Sequence, residues 1–353
     1  TVAMLDELVL AVAAQVKNRT GVDLAPGNAA GNGLIAGGTH THSGPGALAN
    51  HSVRYFWAAT DIYQSDVFDI LVNSLSDVVV SALNKRVPAR FGFASGLAAE
   101  GSQNTNSFRR SRSPYTATRV AQQNELRRLL GVFRVDEVRA DGTAKRPLAV
   151  VTNYSAHGIV FDVESLFFSG DCLAGMERAI EAQFNTPVVA LQFQGAGGDI
   201  SPRADGGPKR QRIERFGAFL APQVMGLWQS AAAITTTQPA LKMLDQRIVL
   251  NRTTLGYTGN DVNGEYPHPY GAVQCNADAP GSGTCVKAPP PSDPTDTNDN
   301  GHNENDSFVP QDTRVSVAQI GDAILMLQPG EPLAEHGLRL IEDGENLGMN
   351  RKN

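Results

Sequence analysis

Short apolar runs and stretches of helical period alternate along this whole chain, and four of the runs break off into loops that carry reactive side chains. Leu5, Leu8, Val9, Val12 and Val16 recur at helical intervals before Gly21, and Val67 to Leu83 keeps the same period, so two helices are predicted there. Arg90 to Ala98 and Pro147 to Asn153 read as strands, and Leu130 to Arg146 reads as a hairpin turned at Asp141-Gly142. A helix near 172–184, a buried strand from Val188 to Phe193, a long helix from about 211 to 231 and a strand near 241–254 follow. Arg314 to Gln319 and Ala323 to Gln328 form a second hairpin, and Pro329-Gly330-Glu331 opens a last helix. No internal repeat is present. The alternation predicts an α/β fold, a layered domain with mixed central β-sheets flanked by helices.

At 353 residues and 41% hydrophobic content the chain can bury a substantial core, and we read 1–353 as a single domain. Its polar stretch at 257–312, rich in Gly, Pro, Asn and Asp, reads as an insertion or lid. The net charge of −6 and pI near 5.7 give no electrostatic basis for nucleic-acid binding, and Arg109-Arg110-Ser111-Arg112 is the one local basic cluster. No apolar run reaches the roughly 18 to 20 residues that span a bilayer, and no signal-like start is visible. The expectation is a mature product or an excised part. Cys275 and Cys285 flank a turn-rich loop and either form a disulfide, which would point to an oxidising compartment, or remain free thiols. Cys172 stands alone at the start of a predicted helix.

The chemistry concentrates at strand ends. Gly33-Leu34-Ile35-Ala36 reads as a short strand that empties into Gly37-Gly38-Thr39-His40-Thr41-His42-Ser43-Gly44-Pro45-Gly46, where two imidazoles stand two residues apart. The other reactive loops are Asn153-Tyr154-Ser155-Ala156-His157-Gly158, Gly198-Asp199-Ile200-Ser201-Pro202 and Pro329-Gly330-Glu331. Two histidines and a carboxylate suit zinc with one position left open for water, a site that hydrolyses amides or esters. Taken singly, His157 also reads as a satisfied structural histidine and Glu331 as a helix-start carboxylate favoured by the dipole.

Together, Gly38 to Gly46, Ser155-Ala156-His157-Gly158 followed by Ser169-Gly170-Asp171, Gly198 to Pro202 and Pro329-Gly330-Glu331 resemble the neutral/alkaline (non-lysosomal) ceramidase family in order and spacing. The resemblance implies that His40, His157 and Glu331 are zinc ligands, and that His42 acts beside the metal on the scissile amide or the attacking water. It makes Arg112 a substrate-binding or polarising arginine and Ser201 an essential residue. Ser201 is then either a nucleophile or a hydrogen-bonding helper to zinc-activated water, and we favour the helper. Its structural alternative is a helix-capping serine with Pro202 at the first helical position.

Two departures from the family pattern stand out. The family supplies a metal-binding tyrosine well after Pro-Gly-Glu, whereas this chain has no tyrosine after Tyr270. It also lacks the family's C-terminal β-sandwich. The expectation is either a piece of a longer protein or a divergent relative with a different fourth ligand. Separately, Asp296, Asn298, Asn300 and Glu304 occupy positions 1, 3, 5 and 9 of a calcium-type loop with Gly301 at position 6. Ser307 replaces the closing glutamate, so a polar insertion without calcium is the alternative.

The implied function is a zinc-dependent amidohydrolase that cleaves the N-acyl bond of ceramide or a similar N-acyl lipid, secreted or periplasmic/extracellular, with peripheral membrane contact and no nucleic-acid partner. Ile159-Val160-Phe161 and Leu166-Phe167-Phe168 are a candidate lipid-facing wall, with core packing as the alternative reading. A hydrolase of other amides or esters and a non-catalytic secreted binding protein are the rival functions.

Overall fold

A computed structural model describes residues 4–28, 33–48, 63–100, 106–108, 120–161, 165–203, 206–232, 235–249 and 312–348. The expected α/β architecture is present. Helices α1 (Asp6–Thr20) and α2 (Ser65–Asn84) lead into β1 (Ala89–Leu97), β2 (Asn106–Phe108) and α3 (Val120–Leu126). Then come β3 (Leu129–Val138), β4 (Ala144–Tyr154), α4 (Asp171–Glu181), β5 (Val189–Gln194) and β6 (Ile200–Pro202). The rest is α5 (Lys209–Ala231), β7 (Leu241–Val249), β8 (Asp312–Ile320), β9 (Ala323–Leu327) and α6 (Ala334–Asn346).

The main sheet has the order β1-β3-β4-β5. Its first three strands pair antiparallel, and β5 joins β4 in parallel because α4 provides the crossover. The turn between β3 and β4 falls at Asp141-Gly142 as expected. Gly142 takes φ 79°, and Asp141 Oδ1 accepts the Thr143 N–H at 2.9 Å. Pro147 belongs to the same strand as the hairpin rather than beginning another. It faces Asp136 beside a register shift, where a residue without an N–H is tolerated. Helices α4 and α5 cover one face of this sheet: Leu173, Met176 and Ile180 meet Phe216, Leu220 and Val224 over Leu130, Val132 and Val150.

A second sheet, antiparallel with order β7-β8-β9, contains the expected hairpin. Arg247 and Arg314 bond Asp6 at the start of α1 and tie that sheet to the α1–α2 pair. α1 and α2 pack through Leu8, Val12 and Val16 against Phe68, Leu71, Val72 and Leu75. Among the described residues no helix is long and apolar enough to cross a membrane. Sequence periodicity gave no sign of β2, α3 or β6, which are too short to display a period. Cys172 is a free, buried thiol in α4. Cys275, Cys285, the calcium-type residues Asp296, Asn298, Asn300 and Glu304, and residues 257–311 of the polar stretch lie outside the described residues.

Candidate metal centre

The strand expected over Gly33-Leu34-Ile35-Ala36 does not form; residues 33–40 run without a ladder partner. An apolar run becomes a strand only where a neighbouring edge takes up its N–H and C=O groups. Here the first such bonds come later. Thr41 bridges Gly158 in parallel, and the His42 N–H donates to Gly158 O at 2.9 Å. A Cβ on residue 158 would lie 2.7 Å from Thr41 Cα and 3.0 Å from His40 O, so glycine is what allows the two histidine loops to touch. A second tether joins the same loop to Ser169. Thr41 Oγ1 donates to Ser169 O at 2.7 Å, and the Ser169 N–H donates to Ser43 O at 2.8 Å. These bonds hold His40 at φ 56°, a left-handed backbone that costs an L-residue roughly 1–2 kcal/mol.

His157 follows the end of β4 and is buried. Its Nδ1 donates to Gly197 O at 2.8 Å, and because a carbonyl can only accept, Nε2 is left with its lone pair free for a ligand. The loop after it is held by Asp171, a buried carboxylate at φ 55°. Asp171 accepts the N–H groups of Val160 (3.1 Å), Phe161 (2.8 Å) and Cys172 (2.6 Å). The Cys172 thiol lies 3.3 Å from His157 O. Asp171 stands in the Ser169-Gly170-Asp171 motif with no role legible from sequence, because its three backbone bonds exist only in the folded chain. Asp171→Asn keeps the left-handed backbone available but turns an amide N–H toward a backbone N–H. It is expected to destabilise by about 1–3 kcal/mol in urea unfolding and to weaken metal binding about tenfold.

Glu331 lies three residues before α6, not in its first turn, so the dipole reading of this carboxylate does not hold. Gly330 at φ 78° turns the chain after β9 and leaves Glu331 in a loop. That loop is clamped to the one that holds His157. The Gly198 N–H donates to Pro332 O at 3.0 Å, and Asp199 Oδ1 accepts the Ala334 N–H at 2.9 Å, capping α6 from outside the helix.

Four ligand atoms therefore meet, and those of His40, His42, His157 and Glu331 all lie within 4.8 Å of one another. His40 Nε2 is central, 3.2 Å from His157 Nε2, 3.3 Å from His42 Nε2 and in contact with Glu331 Oε1. His157 Nε2 is 4.0 Å from Glu331 Oε2. Two donors at about 2.0–2.1 Å from one tetrahedral ion stand about 3.3 Å apart, so the His40–His157 and His40–His42 spacings suit a shared ion. His42 reaches the same point as the other three. Among the described residues no other group of three or more His, Cys, Asp or Glu converges in this way.

Burial pulls the His157 imidazole down to about 4, and the neighbouring His40 and His42 push the same way against Glu331. For Glu331, burial favours the neutral acid, but the hydrogen bond and charge of His40 together with the charges of His157 and His42 outweigh it and hold the carboxyl below its usual range. Both groups make the metal-free fold acid-sensitive. An unfolded histidine takes up its proton near 6.5 while His157 resists until about 4, so stability falls as pH drops through that window. Glu331, depressed when folded, adds a loss of the same sign below about 4.5. Urea midpoints of chelator-treated protein between pH 7.5 and 4 should decline accordingly, and His157→Gln should flatten the upper part of the curve.

The helix-cap reading of Ser201 is overturned. α5 starts only at Lys209, and Ser201 instead sits in β6 opposite Ser107, because β2 supplies an edge that the sequence did not reveal. Gly197 O accepts both His157 Nδ1 and the Ile200 N–H, so Ser201 directly follows the turn that orients His157. Arg112 lies outside the described residues. The candidate lipid-facing wall divides in two. Val160 is core and Phe161 packs against it, whereas Leu166, Phe167 and Phe168 are exposed.

The family profile described as neutral/alkaline non-lysosomal ceramidase, N-terminal, matches residues 11–215, more than half of the chain. The chain belongs to this family. Neutral ceramidase B of Dictyostelium discoideum is 23% identical over 180 residues, which is 49% of this chain and 24% of that protein. The crystal structure of neutral ceramidase from Pseudomonas aeruginosa superposes with a TM-score of 0.70 at 16% identity, covering 99% of this chain and 56% of that one. A ceramidase complexed with C2 gives 0.69 at 17% identity, covering 99% and 57%. At these identities the two structures establish the ceramidase fold. The chain spans about a quarter of the curated relative and little more than half of the solved ceramidases. Within the ceramidase profile lie His40, His42, His157 and Ser201, while Glu331 falls beyond its end and is brought to the site by the fold.

Proposed function

We propose that this chain carries the metal-dependent centre of a ceramidase, hydrolysing the N-acyl bond of ceramide or a similar N-acyl lipid to a fatty acid and an amine. The observation that carries the reading is the convergence of three imidazoles and one carboxylate from separate loops, in a chain of the ceramidase family. The donor set fits zinc: imidazole nitrogens at tetrahedral spacing with a carboxylate in contact with one of them, and the His157 tautomer fixed by Gly197. His40, His157 and Glu331 would hold the ion. When bound, zinc supplies polarisation of a carbonyl oxygen and makes water acidic enough to attack near neutral pH.

The protein's own groups do the rest. His42, 3.3 Å from His40, is within reach of the reacting atoms and moves the proton to the amine leaving group, a task suited to an imidazole. Ser201, and Arg112 as the family resemblance implies, hydrogen-bond the developing negative charge on the amide oxygen. The Cys275–Cys285 pair and the calcium-type loop are consistent with secretion, which is part of the same proposal.

Purified full-length protein is to be assayed for bound metal and for release of fatty acid from ceramide, beside short N-acyl amides and simple esters. One zinc per chain with ceramide as the preferred substrate is expected. No bound zinc and no turnover after zinc addition would sink the enzyme reading, and equal turnover of simple esters would sink the ceramide assignment. Ser201→Ala should slow turnover with no acyl-enzyme trapped in the unmodified protein; a covalent acyl adduct on Ser201 would make it the nucleophile instead.

A further inference from the structure

Leu166, Phe167 and Phe168 are consecutive and 95%, 75% and 83% exposed. A half-buried strand or an amphipathic helix would turn at least one of three successive residues inward, and this segment turns none. Leaving a Leu or Phe side chain in water forgoes roughly 1.5–3 kcal/mol of burial each, which marks the tip as a surface that something apolar covers.

Three observations say what covers it. The central backbone groups of the tip are satisfied locally: Ser165 Oγ accepts the Phe167 N–H at 3.2 Å and donates to Phe167 O at 3.1 Å. Self-satisfied polar groups are what a turn needs if it is to leave water. The tip is also tied to the metal centre, because the next residue, Ser169, bonds Thr41 and Ser43 on either side of His42. Finally, the tip has no hydrogen-bonding side chain of its own, unlike protein-binding hot spots, which favour Tyr, Trp and Arg. No Lys or Arg occurs between His157 and Arg178, while Asp162 and Glu164 stand just ahead of the tip. An anionic surface would gain nothing from that sequence.

We propose that Leu166-Phe167-Phe168 is an insertion tip that seats the loop of His40 and His42 on an uncharged or zwitterionic lipid surface. Its place beside the centre rests on the reading of that centre as one that acts on a lipid. The lipid then meets the site from the apolar side, without first crossing water.

The test measures vesicle binding without turnover, so its failure is separate from a failure of the hydrolase assignment. Full-length protein is co-sedimented with phosphatidylcholine vesicles, with and without phosphatidylserine, as wild type and as Phe167→Ser/Phe168→Ser. The partition coefficient should fall at least about tenfold in the double variant, its unfolding midpoint should stay unchanged, and phosphatidylserine should not strengthen wild-type binding. In Phe167→Trp, the new indole should shift its emission to the blue on vesicle addition and be quenched by brominated phosphatidylcholine. Unchanged partitioning of the double variant overturns the proposal. So does an indole that vesicles neither shift nor quench, whether because it stays in water or because the rest of the protein already covers it.

Discussion

His40→Ala is expected to remove bound metal and amide hydrolysis together while leaving the far-ultraviolet circular dichroism unchanged. His40 Nε2 is in contact range of all the others, at 3.2 Å from His157 and 3.3 Å from His42 and touching Glu331. Without it the remaining donors lose the group that bridges them, and Glu331 loses the hydrogen bond that holds its carboxyl ionised. Loss of an outer-shell partner already weakens metal binding by about 10–100-fold, so loss of this donor should exceed about 100-fold, read by chelator competition. The fold survives because the loop keeps its bonds from His42 N–H to Gly158 and from Thr41 to Ser169, none of which uses the imidazole. Full zinc stoichiometry in this variant would remove His40 from the ligand set. His42→Ala separates two roles: retained zinc with lost turnover fits a proton handler, and lost zinc makes His42 a ligand.

Gly158→Ala should be nearly as damaging, although it adds a single methyl and touches no donor. The new Cβ would stand 2.7 Å from Thr41 Cα, 3.0 Å from His40 O and 3.1 Å from Thr41 N. All three are backbone atoms, so no side-chain rotation relieves the clash and the two histidine loops must separate. Overpacking of this kind destabilises by about 1–3 kcal/mol, and a misplacement near 1 Å can cost about 100-fold in rate. The expected signature is a lowered urea midpoint together with weak zinc binding. Wild-type zinc affinity in Gly158→Ala would mean that the loops can shift without moving His40 away from His157.

The helical and strand periods of this chain are long enough to read directly. Residues 67–83 repeat their apolar positions over nearly five turns, and the structure contains that helix as Ser65–Asn84. The turn at Asp141-Gly142 was legible for a local reason, since the glycine must take a positive φ and the aspartate closes the turn on itself. Pairing was not legible. Gly33-Leu34-Ile35-Ala36 has a strand's composition but joins no ladder, whereas Ile200-Ser201-Pro202 looks like the start of a helix and pairs with Asn106–Phe108. Strand formation depends on a partner far away in sequence, which neither composition nor period encodes.

The same division runs through the candidate site. The sequence by itself determined which groups are chemically able to act: His40, His42, His157 and Glu331 stand out because imidazoles and a carboxylate beside glycine turns are rare and reactive. Only the tertiary structure decided that their ligand atoms meet within 4.8 Å. It also decided that Asp199 fastens the glutamate loop to the loop holding His157 and that Asp171 braces the segment after it. The reason is physical: a residue's chemistry is local, while its distance from another loop is set by backbone hydrogen bonds and close packing between segments more than a hundred residues apart.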